Sequence, residues 1–234
     1  GGAMLKQGYL VLFNLVSAAA WAYTMGLSVT SPPDSPELFD KVWRALFFAQ
    51  SLAVLEVVHA ALGLVRAGAF LTGIQVASRL FLTWGVLFVD PGAASQPLRL
   101  ATVGGVPLGL GFSSLLVAWG VTEVVRYSFF AVKLLSPEED AKGLTWLRYS
   151  TFIVLYPIGT SSELVMVYRA MPAIERLRPY SLDLPNSWNV AVDYPTVAKL
   201  VALSYLVFFP QLYSHMFKQR AKYVGGGRVK KKAE

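Results

Sequence analysis

The sequence predicts an all-α integral membrane protein, a bundle of six transmembrane helices with both termini cytoplasmic. Three observations carry this. Of the 234 residues, 55% are hydrophobic and only 15% charged, against about 45–50% and about 25% in soluble domains. Six apolar stretches reach the roughly 20 residues needed to cross a bilayer. Basic residues crowd one end: Lys218, Arg220, Lys222, Arg228, Lys230, Lys231 and Lys232 all follow the last apolar stretch.

The stretches are residues 9–29, 45–65, 70–89, 106–130, 149–168 and 197–217. Each reads as a helix, because an open strand cannot satisfy its backbone in lipid. The first contains Trp21 and Tyr23 and runs too far for a cleavable signal peptide. The breaker cluster Ser31-Pro32-Pro33-Asp34-Ser35-Pro36 separates it from the second. Arg66-Ala67-Gly68 is a tight link to the third, and Ser136-Pro137-Glu138-Glu139-Asp140 opens a polar loop after the fourth. The longest loop, 169–195, precedes the sixth and carries Tyr180, Trp188 and Tyr194 as interfacial anchors. No internal repeat is visible. The chain therefore divides into an N-terminal tail, 1–8, whose Gly1-Gly2-Ala3 reads as an expression remnant, a membrane bundle, 9–217, and a basic tail, 218–234.

Six spans put both termini on one side. That side carries twelve Lys and Arg residues and the other six, so the positive-inside rule makes it cytoplasmic. A basic tail is also found in nucleic-acid binders, but no folded soluble domain accompanies this one, and no nucleic-acid partner is expected. The absence of cysteine excludes disulfides, thiolate metal sites and a cysteine nucleophile. His59 and His215 form no ligand pair, so neither a metal nor another cofactor is expected.

Several ionisable residues fall within these spans, where they are costly and functional candidates by default. Glu56 and His59 lie one turn apart on the second, and Gln75 and Arg79 on the third. Glu123 and Arg126 are an i,i+3 pair on the fourth, followed by Tyr127. Structural roles compete here. Glu123 with Arg126 fits helix packing, Glu56 with Arg79 fits an interhelical ion pair with Gln75 adding a hydrogen bond, and His59 fits a satisfied core histidine. Trp119 and Trp146 read as packing or interfacial anchors. Arg148 at the head of the fifth span either snorkels or holds an anionic substrate.

Tyr156 and Glu163 on the fifth span have no opposite charge within a turn of their own helix. Seven residues place them within about 20° of one face and about 10.5 Å apart along the axis. Two groups able to trade a proton in an apolar span point to acid–base chemistry inside the bilayer. Pro157 is expected to kink the helix, Gly159 to allow close approach, and Ser161 and Ser162 to add hydroxyls.

These motifs resemble the 3-hydroxyacyl-CoA dehydratases of very-long-chain fatty acid elongation, formerly called protein tyrosine phosphatase-like proteins. The likeness covers most of the chain: Leu55-Glu56-Val57-Val58-His59, Gln75-Val76-Ala77-Ser78-Arg79, Trp119 to Tyr127, Leu147-Arg148-Tyr149, and above all Tyr156-Pro157-Ile158-Gly159 followed by Glu163. It implies a multi-pass enzyme of the endoplasmic reticulum membrane with Tyr156 and Glu163 as catalytic pair, and Glu56, Gln75, Arg79, Arg148 and Gly159 as residues needed for activity. It also implies a long-chain 3-hydroxyacyl-CoA substrate, membrane lipid around the bundle, and the elongation enzymes ketoacyl-CoA synthase, ketoacyl-CoA reductase and enoyl-CoA reductase as partners. Lys231-Lys232 at the third and fourth positions from the end resembles a dilysine retrieval signal.

Dehydration removes a proton from C2 and expels the C3 hydroxyl, so it needs a base, an acid and help for the developing enolate. Glu163 as base and Tyr156 as acid is the first assignment; a glutamate-assisted tyrosine as base is the other. Arg148, and the backbone or hydroxyls from Gly159 to Ser161, are candidate enolate donors. Arg148 near the surface and Tyr156 about 12 Å deeper suit a thioester entering from the cytoplasm, with Arg148, Lys142 and Lys133 near the coenzyme A phosphates. The rival reading is a non-catalytic scaffold or a transporter. A transporter commonly shows paired broken helices, and a scaffold tolerates loss of Tyr156 and Glu163.

Overall fold

The computed structural model describes residues 2–104, 106–137 and 141–224. The expected loop residues Glu138, Glu139 and Asp140, and the tail positions Arg228 to Lys232 with their dilysine pair, lie outside the described residues. Among those described, five helical stretches are long and apolar enough to cross a membrane: Gly2–Ser28, Pro36–Ala61, Ala69–Leu87, Phe112–Leu135 and Tyr194–Tyr223. A sixth is a pair of helices bent by 40°, Lys142–Ser150 and Phe152–Leu177.

In chain order, α1 (Gly2–Ser28) starts ahead of the expected first span. The next crossing is α2 (Pro36–Leu52) followed by α3 (Val54–Ala61). Ser35 caps α2 by accepting the Leu38 N–H, with Pro36 in the first turn. The third is α4 (Ala69–Leu80), which widens into π-helical turns over Phe81–Leu87. Then come a 3₁₀ turn, Pro91–Ser95, and an antiparallel hairpin, β1 (Leu98–Val103) with β2 (Val106–Leu110). The remaining helices are α5 (Phe112–Leu135), α6 (Lys142–Ser150), α7 (Phe152–Leu177) and α8 (Tyr194–Tyr223).

The fold is mostly helical, consistent with the all-α expectation; the hairpin is a short addition to it and corrects the start of the fourth span. Residues 106–110 are apolar enough to be counted into that span, but Pro107 and Gly109 disfavour a helix, and the segment pairs with Leu98–Val103 instead. The helix starts at Phe112, where Asp34 Oδ1 accepts the Ser113 N–H at 2.7 Å and the Asp34 N–H donates to Ser113 Oγ at 2.8 Å. That reciprocal pair ties the loop after α1 to the head of α5.

The α5 helix is the centre of the bundle, packing on α1 and on α7. Trp21 meets Trp119 edge to face at 6.3 Å. Gly120 leaves room for the Met25 side chain, since a Cβ there would come within 2.3 Å of Met25 Cγ. Phe112, Leu115, Leu116, Met166 and Ile174 are fully buried where α5 and α7 join the core. By contrast, much of α8 faces outward: Leu200, Leu203, Leu206 and Val207 are exposed, as suits side chains that meet lipid.

The expected kink at Pro157 is displaced. The 40° bend falls at Thr151, whose hydroxyl donates to the Leu147 carbonyl at 2.9 Å, a back-bond that tends to bend helices. Helix α7 runs on through Pro157. Proline has no N–H to offer the carbonyl four residues back, and that carbonyl, of Ile153, instead accepts the Tyr213 hydroxyl of α8 at 2.9 Å.

Candidate active site

Two polar groupings occupy the bundle interior. The first joins α3, α4 and α5. Arg79 Nη1 donates to Glu123 Oε1 at 2.8 Å. Arg126 donates to Glu123 Oε2 through Nε (3.1 Å) and Nη2 (2.5 Å), and clasps Glu56 with Nη1 and Nη2, both at 2.7 Å. The Tyr127 hydroxyl donates to Glu56 Oε1 at 2.5 Å. Two carboxylates and two guanidiniums thus cancel in charge, and each carboxylate oxygen has a donor. The i,i+3 pairing of Glu123 with Arg126 is as expected. The expected Glu56–Arg79 pair is not formed: Arg79 bonds Glu123, and Glu56 bonds Arg126. Next to this cluster, buried His59 shares a hydrogen bond with the Tyr9 hydroxyl at 2.8 Å and packs edge-on against Phe13, as a satisfied core histidine would.

The second grouping lies between α5, α7 and α8. Glu163 Oε1 accepts the Trp119 indole N–H at 2.8 Å, and Oε2 accepts the Tyr205 hydroxyl at 2.6 Å. Both donors are neutral, and among the described residues no cation bonds this carboxylate. Tyr156 stacks its ring on Phe209 (centroids 5.1 Å apart, planes at 4°) and on Tyr213 (5.9 Å, 15°). Its hydroxyl makes no hydrogen bond among the described residues. No hydrogen bond joins Tyr156 to Glu163, and a continuous α7 keeps them about 10.5 Å apart along the axis.

The other predicted residues divide. Gly159 is buried where α7 meets α5, and a Cβ there would stand 3.3 Å from Ala118 Cβ, so it does permit close approach. Arg148 on α6 sits over the rings of Phe130 (4.6 Å) and Phe129 (5.2 Å), and its Nε is buried without a hydrogen-bond partner. Ser161 makes no side-chain hydrogen bond; its neighbour Ser162 makes two, with the Ser114 hydroxyl (2.8 Å) and to the Ile158 carbonyl (2.7 Å). Gln75 is exposed on α4 and adds no side-chain hydrogen bond to the charged cluster, against expectation. It lies one turn from Arg79 on the same side of α4, and only the longer Arg79 side chain reaches Glu123.

Sequence reasoning missed Tyr205 and took Trp119 for a packing or interfacial anchor. The signal for Tyr205 is in the spacing. Tyr205, Phe209, Tyr213 and Phe217 recur every fourth residue and so form one aromatic face of α8. That face lies against Glu163, Tyr156 and Phe152 in turn.

Fold and site define a multi-pass helical membrane protein with a carboxylate and a tyrosine hydroxyl, neither paired with a cation, on one face of a bent span. Comparison with known proteins gives the family. Residues 50–226 match the model of the protein tyrosine phosphatase-like protein family, PTPLA. The chain is 36% identical to human very-long-chain (3R)-3-hydroxyacyl-CoA dehydratase 2 over 233 residues, 98% of this chain and 86% of that protein. It is 38% identical to the Caenorhabditis elegans dehydratase hpo-8 (97% of this chain, all of that one) and 35% identical to Arabidopsis thaliana PASTICCINO 2 (94% of each). The chain belongs to this family. No solved structure matches it.

Proposed function

We propose that this protein is a hydro-lyase that converts a very-long-chain 3-hydroxyacyl-CoA to the trans-2-enoyl-CoA, with Tyr156 and Glu163 as its acid–base pair. The activity is the one carried in the names of relatives that match along nearly the whole chain. The observation that carries the residue assignment is the state of the pair. Among the described residues, Glu163 is oriented by two neutral donors and bonded by no cation, and the Tyr156 hydroxyl makes no hydrogen bond.

In this reading Glu163 takes the C2 proton and the electron pair moves toward the thioester carbonyl. Tyr156 gives its proton to the C3 hydroxyl, which leaves as water as the C2–C3 double bond forms. The proton gained by Glu163 then returns to the tyrosinate through solvent or product water, and the pair is restored. Because the two groups do not touch, the substrate lies between them. Arg148, with an unpartnered Nε and a position at the head of the bent span, suits the coenzyme A phosphates.

The topology follows the same reading. The start of α1 bonds the end of α5 through the Gln7 amide and the Leu134 carbonyl, and the end of α8 meets α6 through Tyr223 stacked on Tyr149 and Arg220 bonded to Ser150. Placing that end in the cytoplasm of an endoplasmic reticulum membrane, beside the other elongation enzymes, agrees with the excess of basic residues there.

The test is turnover of a long-chain 3-hydroxyacyl-CoA by purified protein. Tyr156→Phe and Glu163→Gln should each cut formation of the 2-enoyl product by about 100-fold or more and leave the helical spectrum and melting behaviour intact. Wild-type turnover in either variant would defeat the assignment.

A further inference from the structure

Acid–base chemistry needs its base held still. The Glu163 side chain has three rotatable bonds, and the reacting C–H must meet one oxygen at close range; a misplacement of about 1 Å can cost about 100-fold. Among the described residues no cation bonds Glu163. Two donors from two other helices do so instead, one on each oxygen. Trp119 comes from α5, which the core fixes. Tyr205 comes from α8, and the same face of α8 carries Phe209 and Tyr213, the two rings on which Tyr156 stacks.

We propose that Tyr205 is a positioning residue for the dehydration. With Trp119 it clamps the Glu163 carboxylate in the orientation that receives the C2 proton, and through α8 it sets that carboxylate in register with Tyr156. The proposal rests on the acid–base assignment above. It goes beyond it, because Tyr205 lies on a different span, 42 residues from Glu163 in sequence. Its hydroxyl does no chemistry on the substrate and acts through Glu163 alone. Each carboxylate oxygen keeps a second lone pair for the incoming proton.

Tyr205→Phe removes the donor and keeps the ring; Trp119→Phe removes the other donor. Each variant is purified beside wild type and Glu163→Gln, with binding-competent sites counted by titration with a saturated acyl-CoA of the substrate's length. Tyr205→Phe should lower kcat per binding site by about 10- to 100-fold and leave KM within about twofold, and Trp119→Phe should act in the same direction. Wild-type kcat per site in Tyr205→Phe, with Glu163→Gln inactive, overturns the positioning role and leaves the acid–base reading standing. A fall in the number of sites with kcat per site unchanged also overturns it, since that marks a purely structural part. Wild-type turnover by Glu163→Gln would instead overturn the assignment on which the proposal rests.

Discussion

The two polar groupings in this bundle use the same chemical groups in opposite ways. Around Arg126, two carboxylates and two guanidiniums saturate one another across α3, α4 and α5. Around Glu163, a carboxylate is met by an indole and a phenol, and among the described residues the Tyr156 hydroxyl makes no hydrogen bond. A charge with all its partners in place holds helices together, and its reactivity is quenched by them. A carboxylate oriented without being neutralised keeps its appetite for a proton. On the proposed acid–base reading, the difference separates where the bundle is fastened from where it is poised to react.

The sharpest test sets one residue from each grouping side by side. Arg126→Ala leaves the partly buried Glu56 without its counter-charge and the buried Glu123 with Arg79 alone, and should cost about 3–5 kcal/mol of stability, read as loss of folded protein in detergent. Glu163→Gln should cost about 1 kcal/mol or less, because the amide oxygen still accepts one donor, while turnover disappears. Equal destabilisation by the two would break the distinction. A smaller effect concerns the floor of the reactive region. Gly159→Ala pushes a Cβ to 3.3 Å from Ala118 Cβ and should cost about 1–2 kcal/mol; adding Ala118→Gly should recover most of it in thermal melts. Smaller again is the bond between α8 and the carbonyl freed by Pro157. Tyr213→Phe should cost about 1 kcal/mol, and the cost should shrink in a Pro157→Ala background, where a helix N–H can reach the Ile153 carbonyl. A double-mutant cycle measures that coupling.

The smallest effect is expected outside the membrane, at the head of α8. Asp193 caps that helix, accepting from the Thr196 hydroxyl at 2.6 Å and its N–H at 3.1 Å, and it also meets Arg178. The Thr196 hydroxyl foremost, then its N–H and Arg178, holds the Asp193 carboxyl below its ordinary value of 3.8. A lowered value in the folded state means that the cap's contribution is complete above the unfolded value and is lost as pH falls through the folded one. Amide exchange at Thr196 and Val197 should therefore rise only below about pH 4, and Asp193→Asn should remove that dependence. Since the carboxyl is open to water, the change should be modest and confined to the first turn of α8.

Much of this was legible in the sequence because lipid imposes simple rules. Span length, the misplaced charges and the shared face of Tyr156 and Glu163 all follow from composition and helical period. What was not legible depended on partners distant in the chain. Arg79 sits between possible carboxylate partners at 56 and 123 in sequence, and only the folded bundle, which brings its guanidinium to Glu123, chooses between them. Residues 106–110 are apolar enough for a span, and only pairing with Leu98–Val103 makes them a strand. Pro157 carries a strong bending signal, but a tyrosine 56 residues further on satisfies the carbonyl it frees, and the bend goes to Thr151. Gln75 is a candidate by type and spacing, yet its side chain stays exposed one turn from Arg79 and does not join the cluster.

The order in which the Arg126 cluster is made has a bearing on how the chain enters the bilayer. A ribosome delivers Glu56 and Arg79 first, and Glu123 follows Arg79 by 44 residues. Until then each lacks its final partner. They are opposite in sign, and α3 and α4 pack against one another, so each can shelter the other while α5 is still being synthesised. A nascent chain halted before Phe112 should therefore hold its second and third crossings together by a Glu56–Arg79 bond absent from the finished protein, to be exchanged for the Arg79–Glu123 and Arg126–Glu56 bonds once α5 arrives.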